Sequence, residues 1–286
     1  MKPAAPRPPE APGVASTNPT QRIAARRVPK PPWRYTDDTE MAVSIVEVLE
    51  ELGAIDQDIL ARRFTHRMEP ARGYGEGAYK VLTGVLEGRD WRSLTRSGFH
   101  GQGSFGNGAA MRVAPLGAFF ADAELTHVAL QARRSAEVTH AHHEGIAGAI
   151  AIAVAAALAW RSRDSRAALG CEWIAEVGAS VPPGYTRDAI AEALALAPTA
   201  SIIEAAKALG NGSGVTAPDT VPLCLWVAAH RSHDFVEALW CTVAALGDRD
   251  TTCAIVGGIL AGRLGASQIP RSWRKAREPL PLGMRT

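Results

Sequence analysis

The sequence predicts an all-α protein. Apolar residues recur at spacings of three and four along most of the chain, alanine and leucine are abundant, and alternating β-branched runs are almost absent. The periodic stretches cover residues 41–52, 59–68, 78–86, 125–138, 147–160, 190–196, 202–209, 221–229, 235–246 and 252–264. The stretch 147–160 is apolar on every side, so we expect it to form the central helix of the bundle.

Composition narrows the class of protein. Hydrophobic residues make up 47% of the 286 residues, enough for one large core, and a formal net charge of +2 favours neither a nucleic-acid nor a membrane partner. The longest apolar run, 145–160, is shorter than the roughly 18 residues of a membrane span. The first 32 residues lack the apolar block of a signal peptide. We therefore expect a soluble, cytoplasmic protein.

Three segments are predicted along the chain. Residues 1–32 are rich in proline and arginine and are expected to be disordered or loosely attached, residues 33–268 form a single helical domain, and residues 269–286 form a tail. Glycine-rich connections interrupt the helices at 73–77, 98–108 and 210–214. Such connections occur where backbone turns sharply or closely approaches a ligand.

Two acidic clusters each stand directly before a predicted helix, one near each end of the domain. Their oxygen-bearing side chains are Thr36, Asp37 and Asp38 in the first cluster, and Asp248, Asp250 and Thr251 in the second. The simpler interpretation is helix capping, because Asp and Thr side chains accept hydrogen bonds from free N–H groups at helix starts. One cap, however, needs one acceptor, and each cluster offers two carboxylates. Oxygen donors of this kind suit Mg²⁺, Mn²⁺ or Ca²⁺, and two such clusters brought together could hold two ions for hydrolysis.

Five stretches together resemble the ADP-ribosylglycohydrolase family, which includes the dinitrogenase reductase-activating glycohydrolase and the ADP-ribosylserine and ADP-ribosylarginine hydrolases. They are Y-T-D-D-T at 35–39, R-G-Y-G at 72–75, G-S-F-G-N-G-A-A-M-R at 103–112, T-H-A-H at 139–142 and G-D-R-D-T at 247–251. The resemblance spans residues 33 to about 265. It implies an orthogonal bundle of helices that holds two Mg²⁺ ions, with Mn²⁺ as the alternative, at the base of a cleft.

The resemblance also implies roles for particular residues. Thr36, Asp37, Asp38, Asp248, Asp250 and Thr251 match the metal ligands, with Asp250 bridging, and Asp37 and Asp38 are the residues expected to be essential for catalysis. Gly103, Ser104, Phe105, Gly106 and Asn107 match the loop that holds ADP-ribose, as do Gly75, Glu76 and Gly77 in a second loop and His140 beside them. From the residues alone, the glycines of 101–108 could equally belong to a flexible surface loop.

The implied reaction is hydrolysis of the glycosidic bond that joins ADP-ribose to a protein side chain or a small conjugate. Family members usually begin with a G-D-A-x-G-like motif followed by a glutamate that serves in proton transfer. No such motif precedes Trp33, where Glu10 is the only acid. The missing glutamate leaves one alternative to the hydrolase, a catalytically impaired ADP-ribose-binding protein on the same fold. A phosphohydrolase that uses the same pair of metals is a further alternative.

The histidines near residue 140 allow two interpretations. His140, His142 and His143 beside Glu144 resemble the start of a zinc site, but no cysteine or further histidine nearby completes four ligands. We favour a His140 that lines the cleft, with residues 142–144 beginning a helix. We expect Glu40 to be a solvated or capping group.

Overall fold

The computed structural model describes residues 19–165 and 167–280, and in this part of the chain it contains α-helices and short 3₁₀ turns but no strand. In chain order the helices are α1 (Pro19–Ala24), α2 (Asp37–Leu52), α3 (Gln57–Arg67), α4 (Glu76–Leu86), α5 (Trp91–Gly101), α6 (Ala114–Phe119), α7 (Leu125–Glu137), α8 (His143–Arg161), α9 (Gly170–Ser180), α10 (Tyr185–Ala195), α11 (Ile202–Leu209), α12 (Ala217–His230), α13 (Phe235–Ala244), α14 (Arg249–Leu264) and α15 (Arg271–Ala276). The all-α prediction is confirmed.

The predicted central helix is also confirmed. Helix α8 packs against α6, α7, α9, α12 and α14, and its residues from Glu144 to Ala159 are buried. It is long and apolar enough to cross a membrane by length and composition, yet 89% of its apolar window is buried inside the protein. Close packing depends on small residues, since a Cβ added at Gly117 of α6 would lie 2.1 Å from the carbonyl oxygen of Ala153.

The two terminal segments meet on one side of the domain. Of the segment predicted to be loosely attached, residues 1–18 lie outside the described residues, and the rest includes α1, beyond which Arg26 pairs with Glu237 of α13 at 2.5 Å. Trp33 donates its backbone N–H to Ala276 and packs edge-on against Trp273, with ring centroids 6.0 Å apart. The chain on either side of the domain therefore converges just before the first acidic cluster.

Candidate active site

One cleft, about 1070 Å³ in volume, is lined by residues of both acidic clusters. Asp37 reaches it from the start of α2, and Asp248, Asp250 and Thr251 reach it from the start of α14. Asp38 instead lines a small groove behind the start of α2. Folding thus brings together the acids that stand near opposite ends of the domain.

The N-cap residue of neither acidic cluster caps its helix with its side chain. Thr36 and Asp248 occupy the N-cap positions of α2 and α14, and neither makes a side-chain capping hydrogen bond. Side-chain caps are also absent at α4, α6, α7, α9, α10 and α15. A side-chain cap is present at α3, α5, α8, α11, α12 and α13. The capping interpretation therefore fails for Thr36 and Asp248, whose side chains instead hydrogen-bond to Asp38 and Asn107.

Burial and mutual repulsion destabilise the ionised carboxylates. Burial, followed by repulsion from Asp38, raises the pKa of Asp37 to about 7. Burial raises the pKa of Asp38 to about 6, with repulsion from Asp250 and Asp248 added, although the Thr36 hydroxyl donates a hydrogen bond to it. Charges that repel in a desolvated site are those that a cation would stabilise.

The donor set fits a hard divalent cation. Asp38 Oδ1 is buried and has no hydrogen-bond partner among the residues described, so one carboxylate oxygen is available for a ligand. In the same residues, no group of three or more His, Cys, Asp and Glu side chains is preassembled as a metal site.

A loop of the cleft wall is attached to the second cluster. The side-chain amide of Asn107 donates to Asp248 Oδ2 at 2.8 Å and to Thr220 Oγ1 at 3.0 Å. The backbone N–H of Asn107 donates to the carbonyl of Val215, and that of Ala217 to the carbonyl of Phe105. Asn107, expected to bind ADP-ribose, therefore also orients a candidate metal ligand, and sequence reasoning missed Thr220.

The glycine-rich loop around Gly103 lies beside the cleft. Ser104, Phe105 and Gly106 line the cleft, whereas Gly103 is buried beneath them with a positive φ of 78°. A Cβ at Gly103 would lie 2.7 Å from the backbone nitrogen of His142. Gly103 therefore lets the loop lie directly on the start of α8, and the exposed part of the loop faces the cleft.

Two aromatic rings form one wall of the cleft, hereafter the aromatic wall: Phe99 and Phe105. Their centroids are 6.0 Å apart, and both side chains are exposed. The ring of Phe99 lies over Gly77, where an added Cβ would approach it to 3.1 Å. Phe99 was missed in the sequence, although an aromatic residue in the glycine-flanked run 98–101 was the available signal. Gly75 and Glu76 line the same side, and Glu76 is exposed and paired with Lys80 at 2.5 Å.

Behind Asp37, a buried ionic network supports the first cluster. Glu40 is buried and accepts hydrogen bonds from the backbone of Glu69 at 2.8 Å and from the Tyr74 hydroxyl at 3.0 Å. Arg72 contacts Glu40 at 3.6 Å and donates to Glu278, which also accepts from the backbone N–H of residue 35. The expectation that Glu40 is solvated or a cap was wrong, because its neighbours supply enough donors to keep a carboxylate buried.

The start of α8 is fixed by Glu144. Its buried carboxylate accepts from the backbone N–H of Tyr185 at 2.6 Å, the backbone N–H of Thr186 at 2.7 Å and the Thr186 hydroxyl at 2.6 Å. His142 is the N-cap of α8, and its ring accepts from the backbone N–H of Glu144. The prediction that residues 142–144 begin a helix is confirmed.

We expect Glu144→Gln to lower the free energy of unfolding by about 1.5–3 kcal/mol at pH 7, because hydrogen bonds to an ionised acceptor are lost. Burial raises the pKa of Glu144, but the hydrogen bonds from Thr186 and Tyr185 lower it by more, so the pKa lies below its ordinary value. The stabilisation is therefore complete above the pKa of the unfolded chain and is lost as the pH falls through the lower pKa of the folded protein. Urea unfolding at pH 7 and pH 3.5 measures both effects.

The matched control is Glu192→Gln, which neutralises an exposed carboxylate on α10 itself. We expect it to change stability by less than about 0.5 kcal/mol. Equal effects of the two substitutions at pH 7 would contradict a bracing role for Glu144.

Comparisons with known proteins identify the family of this chain. The model of the ADP-ribosylglycohydrolase family matches residues 8–283. The "ADP-ribosylhydrolase ARH3" of Homo sapiens is 30% identical over 277 residues, covering 85% of this chain and 74% of the human protein. An uncharacterized protein of Archaeoglobus fulgidus is 32% identical over 244 residues, covering 84% and 74% of the two chains.

A solved structure, "ADP-ribosylglycohydrolase-related protein complex", superposes with a TM-score of 0.64 at 26% identity, covering 88% of this chain and 78% of that chain. The family match begins at residue 8, so it includes most of the segment in which no family motif was found. Glu10 lies outside the described residues. The protein described here belongs to the ADP-ribosylglycohydrolase family, and it is a hydrolase of glycosidic bonds in ADP-ribose conjugates.

Proposed function

We propose that this hydrolase depends on two divalent cations, Mg²⁺ or alternatively Mn²⁺, and releases ADP-ribose from a modified protein side chain or a small conjugate. One observation carries the proposal: Asp37 of the first acidic cluster and Asp248 and Asp250 of the second, from distant parts of the chain, line one cleft beside a glycine-rich loop. The proposed ligands are Thr36, Asp37, Asp38, Asp248, Asp250 and Thr251. A pair of such cations supplies Lewis acidity and orients the hydroxyl groups of the sugar at the reacting carbon.

The cleft walls offer complementary surfaces for the rest of ADP-ribose. The Ser104–Gly106 stretch of the glycine-rich loop lines the cleft, and the short side chain of Ser104 and the small steric bulk at Gly106 suit the close approach of a diphosphate. The aromatic wall of Phe99 and Phe105 offers exposed ring faces on which adenine can stack. The distal ribose then lies toward the acidic clusters, with its anomeric carbon near Asp37.

Asp37 is the carboxylate placed to handle a proton. It faces the cleft, whereas Asp38 faces the small groove behind α2. We propose that Asp37 orients the attacking water and accepts its proton as the bond between the anomeric carbon and the leaving group breaks. The leaving group departs with the bonding electron pair and takes up a proton from solvent. Asp38 would then serve mainly as a metal ligand.

The test compares release of ADP-ribose from serine-linked and arginine-linked peptides, with Mg²⁺ and after its removal by chelation. We expect release from at least one substrate that requires Mg²⁺ and is restored by Mn²⁺. Tight binding of ADP-ribose without release under any condition would identify a catalytically impaired binding protein instead. Phosphate release from a nucleotide without free ADP-ribose would identify a phosphohydrolase.

A further inference from the structure

A fully buried arginine lies beneath the glycine-rich loop and is used by none of the steps above. Arg112 donates from Nη2 to the carbonyl of Ser135 at 3.0 Å and to the Thr139 hydroxyl at 2.9 Å, and its guanidinium lies 4.6 Å from the ring centroid of Phe64. A guanidinium can only donate hydrogen bonds. The oxygen of Thr139 is therefore the acceptor in this contact.

The Thr139 hydroxyl also contacts His140, with 2.7 Å between Oγ1 and Nδ1. Since its oxygen already accepts from Arg112, its own proton needs an acceptor, and Nδ1 is the acceptor within reach. If Nδ1 carried a proton instead, the buried hydroxyl proton would have no acceptor, which is costly. The contacts thus select the tautomer of His140 in which Nδ1 is bare and Nε2 carries the proton.

The protonated nitrogen faces the loop of the cleft. Added Cβ atoms at Gly106 and Gly108 would each lie 3.4 Å from Nε2 of His140, so this edge of the ring is in contact with bare backbone. His140 lines the cleft, and among the described residues no protein atom accepts a hydrogen bond from Nε2. Its N–H is therefore available to a ligand.

The imidazole is also neutral under ordinary conditions. Burial, together with the nearby charge of Arg112, lowers the pKa of His140 to about 3. A ring that neither gains nor loses a proton near neutral pH is unsuited to general acid–base catalysis and suited to steady hydrogen bonding.

We propose that Arg112 and Thr139 are positioning residues that hold His140 in the Nε2–H tautomer, so that it donates a hydrogen bond to a phosphate oxygen of the ligand. The ligand part rests on the proposed function, because it requires the diphosphate of ADP-ribose to lie along the glycine-rich loop. The tautomer part concerns the free protein alone.

The tautomer is measured by long-range ¹H–¹⁵N NMR of the histidine-labelled protein without ligand. We expect the Nδ1 of His140 to show the shift of an unprotonated nitrogen and Nε2 that of a protonated one, unchanged between pH 6 and 8. A protonated Nδ1 would overturn the proposal. This measurement needs no variant and no ADP-ribose.

Ligand contact is then tested by adding ADP, which carries the diphosphate, or adenosine, which does not. We expect ADP to shift the Nε2–H proton of His140 and adenosine to leave it unchanged. A shift of this proton with adenosine but not with ADP would overturn the assignment of the hydrogen bond to a phosphate oxygen. If neither ADP nor ADP-ribose binds while the Nε2–H tautomer is observed, the proposed function and the ligand contact fail together and the tautomer assignment stands.

The positioning role is tested by Thr139→Val, which removes the hydroxyl at nearly constant shape, with Thr139→Ser as the control that keeps it. We expect the valine variant to show a mixture of tautomers and about a tenfold higher KM with little change in kcat, and serine to restore both. A valine variant with the wild-type tautomer and KM would contradict the role of Thr139.

Discussion

Neutralising Asp37 and Asp38 together, as Asp37→Asn with Asp38→Asn, is expected to lower turnover by at least about a thousandfold and to abolish its response to Mg²⁺. The carboxylates supply the charge that holds the cations, and loss of several kcal/mol of transition-state stabilisation corresponds to a factor of this size. The substitution should not weaken the fold, since both acids are buried and repelled in the metal-free protein. ADP-ribose release and urea unfolding without Mg²⁺ measure the two effects.

The control for this variant lies at the other end of the same helix. Glu50 and Glu51 are exposed on the last turn of α2, and Glu50→Gln with Glu51→Gln removes the same charge. We expect it to retain turnover within about twofold, as exposed charges remote from the cleft contribute little. Full Mg²⁺-dependent turnover in the Asp37, Asp38 double variant would remove these residues from the metal site.

The second large effect is expected for Gly103→Ala. Gly103 has a positive φ of 78°, a backbone conformation that is strained for any residue other than glycine. The new Cβ would also meet the backbone of residues 141 and 142 at 2.7–2.9 Å. Backbone cannot move aside as a flexible side chain can, so we expect a loss of about 3 kcal/mol of stability, or a displaced loop that binds ADP-ribose at least about tenfold more weakly. Urea unfolding and isothermal titration with ADP-ribose distinguish these outcomes.

Gly101→Ala is the matched control in the same stretch of chain. Gly101 also has a positive φ, of 86°, but an added Cβ would meet nothing within 4 Å. We expect Gly101→Ala to lower the free energy of unfolding by about 1 kcal/mol, through backbone strain alone, and to leave the affinity for ADP-ribose unchanged. If the two alanine variants behaved alike, contact with the start of α8 would not be what places the loop.

The periodicity of apolar residues in the sequence was sufficient to predict most of the longer helices. Each predicted stretch falls within or overlaps one helix, from 41–52 in α2 to 252–264 in α14. Helices α1, α5, α6, α9 and α15 were missed. Helices α1, α6 and α15 are only 6 residues long, too short for periodicity to be recognised. In α5 only Trp91 and Thr95 are buried, so little of its apolar pattern reflects the core.

Site residues could be predicted from the sequence where they belong to one contiguous motif, and not where they depend on contacts between distant parts of the chain. The acidic clusters and glycine-rich loops are contiguous in sequence, and they were recognisable as motifs. The support behind Asp37 is not local: Arg72 joins Glu40 to Glu278, which lies close to the other end of the chain. Likewise, the contact from Asn107 to Asp248 crosses most of the domain. Pairings of this kind follow from the packing of the whole bundle, and no spacing in the sequence indicates them.

Anomalous diffraction from crystals soaked in Mn²⁺ with ADP-ribose tests most directly whether the two clusters share divalent cations. We expect two anomalous peaks about 4 Å apart between the side chains of residues 36–38 and 248–251. Crystals that show ADP-ribose in the cleft but no anomalous peak among these residues would contradict the account.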